Sequence, residues 1–117
     1  MNPLKRDQTD HSVDRLLDAL DLLRLLDREI PGQVMATFLY VASHNPCHKQ
    51  ALEEDLGFST ASGSRNTDWL SEKHRLKKPG LGLIKKEIDP SNKRRQLLSL
   101  TKEGELLISK MKKLLYG

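Results

Sequence analysis

Residues 83–104 constrain the fold of this chain more than any other stretch. Leu83 to Ile88 and Arg95 to Leu100 are short segments rich in apolar and branched residues, and the turn cluster Asp89-Pro90-Ser91-Asn92 lies between them. This pattern predicts the two strands of a hairpin. Thr101-Lys102-Glu103-Gly104 follows, ahead of an apolar run, and predicts a capped helix start. Lys93, Arg94 and Arg95 then fall together at the hairpin tip. Unpaired charge is costly to bury, so these cations face either solvent, as an ordinary solvated turn, or a polyanion.

At 117 residues the chain is long enough for one domain with a real core and too short for two. Its net charge of +4 is unevenly spread: residues 1–58 hold 6 Lys+Arg against 10 Asp+Glu, and residues 59–117 hold 14 against 6. A basic C-terminal half on an acidic remainder suits a domain that binds nucleic acid. No apolar run approaches the length needed to span a bilayer, and no signal-peptide core is present at the N-terminus, so no membrane partner is expected. The single cysteine, Cys47, excludes an internal disulfide and points to the reducing cytoplasm, with association to the nucleoid if DNA is the ligand.

Residues 1–9 are polar and read as a flexible N-terminus, leaving residues 10–117 as a single domain. Asp10 or Ser12 can cap a first helix that runs to about Glu29, before Pro31-Gly32. Val13, Leu16, Leu17, Leu20, Leu22, Leu23, Leu25 and Leu26 cover more than one side of it. One apolar side then serves the core, and the other is free for a partner subunit, making residues 10–29 the expected dimerisation helix. A second helix carries Val34, Phe38, Leu39, Val41 and Ala42 and ends near His44-Asn45-Pro46. It reads as the centre of the core.

A third helix from about His48 to Leu56, the turn Gly57-Phe58, and a fourth helix capped by Ser59 or Thr60 and running to about Arg75 spell a helix-turn-helix over residues 48–75. The fourth helix is the least hydrophobic. Gly63, Thr67 and Leu70 share one side, and Gly63 suits a close approach by a neighbouring helix. Ser59, Thr60, Ser62, Ser64, Arg65, Asn66 and Trp69 are its candidate DNA contacts, because small hydroxyls reach phosphates and Arg is the best bidentate partner of guanine. An ordinary solvated helix is the alternative for this segment taken alone. With residues 82–100 as the wing and 101–116 as a closing helix, the expected fold is mainly α with a small β-hairpin, a winged helix-turn-helix in the order α-α-α-α-β-β-α. The wing candidates are Asp89, Ser91, Asn92, Lys93, Arg94 and Arg95.

This order resembles the MarR family of bacterial winged-helix transcription regulators over about residues 31–108. Ser64-Arg65 with Leu70 is similar to the family's recognition helix, and Gly82-Leu83-Ile84-Lys85-Lys86 to its approach to the wing. Asp89-Pro90 through Lys93-Arg94 to Leu100-Thr101 and Gly104 resembles its Asp-x-x-Asp-Arg-Arg wing and Leu-Thr-x-x-Gly helix start, at the same spacing. The resemblance implies Ser62, Ser64 and Arg65 in the major groove of double-stranded DNA and Lys93 and Arg94 in the adjacent minor groove. It also gives Asp89 the role of steadying a wing arginine, and implies a homodimer on a pseudo-palindrome. Asn92 departs from the pattern by replacing the second wing Asp. The stretch from His74 to Leu81 is longer than the usual link, and the long C-terminal helical pair of the family is missing before Gly117. Dimerisation is therefore expected to fall on the first and last helices.

Other chemistry finds less support. His44, Cys47 and His48, with His11 or His74, have zinc-ligand types but lack a zinc spacing, so no metal or cofactor is expected. Cys47 beside His48 and Lys49 has the neighbours of a redox-sensing thiol, and equally those of a plain helix-start cysteine. No phosphate loop, nucleophile elbow or HExxH is present, which argues against an enzyme. No effector pocket is legible. Two functions remain: a sequence-specific regulator of transcription, or a winged-helix adaptor that docks a polymerase, replication or repressor protein.

Overall fold

The computed structural model describes residues 4–6, 10–72 and 78–117. Its elements are α1 (His11–Leu26), α2 (Gly32–Ser43), β1 (Cys47–His48), α3 (Lys49–Leu56), α4 (Thr60–Leu70), β2 (Ile84–Asp89), β3 (Asn92–Leu100) and α5 (Lys102–Tyr116). The strands form an antiparallel sheet in the order β1-β3-β2. This is a winged helix-turn-helix with one strand more than the sequence predicts.

Each helix begins where a local signal places it. Asp10 caps α1 by accepting the Ser12 and Val13 N–H groups, Ser59 caps α4 through Ser62 N, and Thr101 caps α5 through Gly104 N. Gly57 ends α3 at φ 69, the left-handed conformation that a side chain disfavours. Two helices stop short of expectation. α1 ends at Leu26 rather than near Glu29, because Asp27 turns extended and its carboxylate accepts the N–H of Glu29 and the indole of Trp69. α4 ends at Leu70, and Arg75 and His74 lie outside the described residues. The chain returns beside the last turn of α4 and uses its carbonyls: Leu83 N donates to Leu70 O, Gly82 N to Ser71 O and Leu81 N to Trp69 O. At this helix end the returning chain thus takes the place of another turn.

The core lies between α2 and the sheet. Val34, Phe38 and Val41 of α2 are fully buried together with Leu23, Leu52, Leu70, Ile84 and Leu98, and Met111 of α5 is nearly so. α5 packs along α1. Gly63 has the expected close neighbour, since a Cβ there would overlap the Glu53 side chain of α3. Glu53 is itself held by the buried Lys49, whose ammonium also reaches the Thr60 carbonyl. The buried Lys49, paired within α3, thus joins the two helices of the helix-turn-helix across their turn. Val13, Leu16, Leu17, Leu25 and Leu26 on α1 and Leu106, Leu114 and Tyr116 on α5 stay exposed.

Candidate nucleic-acid interface

The start of α4 is a small polar platform. Ser59 Oγ donates to Ser62 Oγ, and one Arg65 guanidinium nitrogen donates to the same Ser62 oxygen at 3.0 Å. Arg65 is exposed, so the contact aims its side chain along the outer face of the first turns without taking it out of solvent. Thr60 and Ala61 are exposed, and Ser62 and Ser64 are half-buried.

Two of the predicted contacts face the other way. Asn66 is 7% exposed and its amide donates to Gln33 Oε1. It continues the stripe of Gly63, Thr67 and Leu70, a position that helical spacing alone could have shown. Trp69 packs against the core and its indole N–H donates to Asp27 Oδ2 at 2.7 Å, so its polar edge is already engaged. The Asn66 side chain is thus nearly buried, and the Trp69 N–H has a partner within the fold.

The wing differs from a simple hairpin. From Ile84↔Leu100 to Ile88↔Gln96 the register is regular, and then Asp89 pairs with Asn92. Lys93, Arg94 and Arg95 therefore have no partner residues in β2 and form a bulge within β3, one step back from the Pro90-Ser91 turn, where the sequence predicts a simple hairpin tip. A bulge bends its strand and re-aims the side chains it carries. Asn92, which replaces an Asp of the resembled pattern, accepts the Arg94 N–H at 3.1 Å and closes this bulge locally. All three cations are exposed. Asp89 does not steady an arginine: Oδ1 accepts the N–H and Oγ–H of Ser91, and Oδ2 lies 2.7 Å from His48 Nε2. The His48 bond, with the two from Ser91, holds the Asp89 carboxyl down to about 2.

Helix and wing share one side of the molecule. A cleft of about 360 Å³ is lined by Lys49, Gln50 and Glu53 of α3, Thr60 at the start of α4, and Arg94, Arg95 and Gln96 of β3. Further in, the Lys86 ammonium of β2 meets Asp68 of α4 at 2.5 Å, bracing the wing base on the helix. Sequence reasoning missed this brace and the His48–Asp89 bond, since each partner lies far along the chain. It weighed His48 as a helix start, a zinc ligand and a neighbour of Cys47, not as a partner of the wing. Among the described residues no three His, Cys, Asp or Glu side chains gather as a metal site, and His74 lies outside them. His44 stacks on Tyr40. Burial pushes the Cys47 thiol up, which disfavours its reactive thiolate.

No protein-family model and no curated protein matches the sequence. Solved structures do. A crystal structure of MarR is 24% identical, with 87% of this chain and 74% of that one covered at a TM-score of 0.60. The PcaV transcriptional regulator from Streptomyces coelicolor is 23% identical, with 90% and 78% covered at 0.59. This chain has the MarR winged-helix fold. A MarR mutant from E. coli complexed with operator DNA matches at a TM-score of 0.64, 17% identical over 90% of this chain and 66% of that one. In this MarR-like fold α3 and α4 form the helix-turn-helix, and β2 and β3 form the wing.

Proposed function

We propose that the chain is a sequence-specific double-stranded DNA-binding regulator of transcription. α4 enters the major groove through Thr60, Ser62, Ser64 and Arg65, and the basic bulge Lys93-Arg94-Arg95 meets the adjacent minor groove. The cleft that Thr60 shares with Arg94 and Arg95 carries this reading, because it sets the helix start and the cations side by side. A phosphate backbone running between two grooves needs that arrangement. The DNA-bound state of one structural neighbour supports it. The exposed apolar residues of α1 and α5 then serve a homodimer, whose two-fold axis pairs two half-sites. Among the described residues no helix is long and apolar enough to cross a membrane. Action in the cytoplasm, on the nucleoid, follows from the proposed ligand.

Selection of bound duplexes from a random pool, followed by sizing of the complex, tests this. A symmetric site held by two chains is the expected result. Absence of binding to any duplex at near-physiological salt, beside co-purification with a protein, would replace it with the adaptor function.

A further inference from the structure

Among the described residues the wing tip has a single side-chain anchor. From Glu87 to Gln96 every residue is exposed except Asp89, which is 9% exposed. Among the described residues, the His48–Asp89 bond is the one side-chain hydrogen bond or ion pair that joins residues 88–96 to another element. An ionised carboxylate can only accept, so the imidazole Nε2–H donates. His48 pairs through its backbone with Leu97 on β3 and immediately precedes the first residue of α3. Because β3 lies between β1 and β2, the bond reaches from one edge of the sheet across its middle strand to the other edge. It ends where the register shifts, next to the basic bulge. A two-stranded ribbon without core contact is marginal on its own and twists freely.

We propose that His48 is a positioning residue for the wing: acting through Asp89, it ties the helix-turn-helix to the hairpin and holds Lys93, Arg94 and Arg95 at the height where they meet a DNA backbone. The inference rests on the DNA-binding reading. His48 makes no side-chain cap to α3 and is partly exposed, so its replacement leaves the helix start and the core in place.

The test uses the full chain with His48→Leu and with His48→Gln, which keeps an N–H donor. Amide exchange without DNA comes first: His48→Leu should speed exchange at Ser91 and Arg94 by roughly tenfold or more, the scale of a lost hydrogen bond to a charged group. Affinity for a mixed-sequence duplex across a salt series comes second. The slope for His48→Leu should flatten by about one to two, and adding Lys93→Ala with Arg94→Ala should then change little further. His48→Gln should bring both readouts back toward the parent. Unchanged exchange at Ser91 overturns the anchor whatever DNA does. Faster exchange with an unchanged salt slope makes the bond merely structural and overturns the positioning role. A parent chain that binds no duplex sinks the underlying function, and with it the role of the tie in DNA binding, while the exchange readout still reports whether the tie exists.

Discussion

Gly104 presses against Leu83: a Cβ at Gly104 would sit 2.1 Å from the Leu83 carbonyl oxygen, a backbone atom with no freedom to yield. Thr101, the cap of the same helix, donates its hydroxyl to Gly82 O and its N–H to Leu83 O. The base of the wing is thus clamped onto the first turn of α5.

Gly104→Ala should therefore destabilise the fold, even though alanine is the better helix former. A loss of about 1–3 kcal/mol in denaturant unfolding is expected, the scale of overpacking a tight contact. An unchanged or higher midpoint would mean that the clamp relaxes without cost.

Truncating Arg65 should lose about 1–3 kcal/mol of discrimination at one base pair, with little effect on binding to unrelated duplexes. Comparison of selected and scrambled sites measures this. Equal loss on both would make Arg65 a phosphate contact.

Lys93→Ala and Arg94→Ala should weaken binding to all duplexes alike. Each should flatten the slope of log affinity against log salt by about one per phosphate contact removed. A sequence-selective loss would instead assign that side chain to base edges.

Placing Glu at both Leu16 and Leu17, each 50% exposed on α1, should leave the fold intact while shifting a dimer toward monomer. Sedimentation at several protein concentrations reads the outcome. DNA binding should fall with it, because a single half-site loses the contribution of its partner.

Acid should loosen the wing through Asp89. Its folded value of about 2 lies below the ordinary 3.8, so its contribution to stability is complete above about pH 4 and fades as pH falls through 2. The stability gap between the parent and Asp89→Asn should accordingly narrow over that window. A gap that stays constant would show that the carboxylate charge contributes nothing.

Signals that act over a few residues were legible in the sequence. Ser59 and Thr101 cap the helices they precede, Gly57 takes the left-handed turn, and Pro90-Ser91 reverses the wing. β1 was not legible, because Cys47 and His48 are too few to show alternation and become a strand only by lying against Leu97 and Leu98. Residue type alone suggests a DNA contact at Asn66, because its partner Gln33 lies on another helix. The bulge is illegible for a related reason: a run of three cations says nothing about register, which Asp89 and Asn92 decide by pairing.

The hydrogen bond from Trp69 to Asp27 joins α4 to the residue just beyond α1. In the proposed dimer built on α1, that joint would set how far apart the two copies of α4 stand, as a rivet sets the tips of a pair of calipers. Trp69 is also the chain's single tryptophan. Its fluorescence is a native gauge of that joint, and quenching or a spectral shift on adding DNA or any small molecule would report the calipers opening without a label.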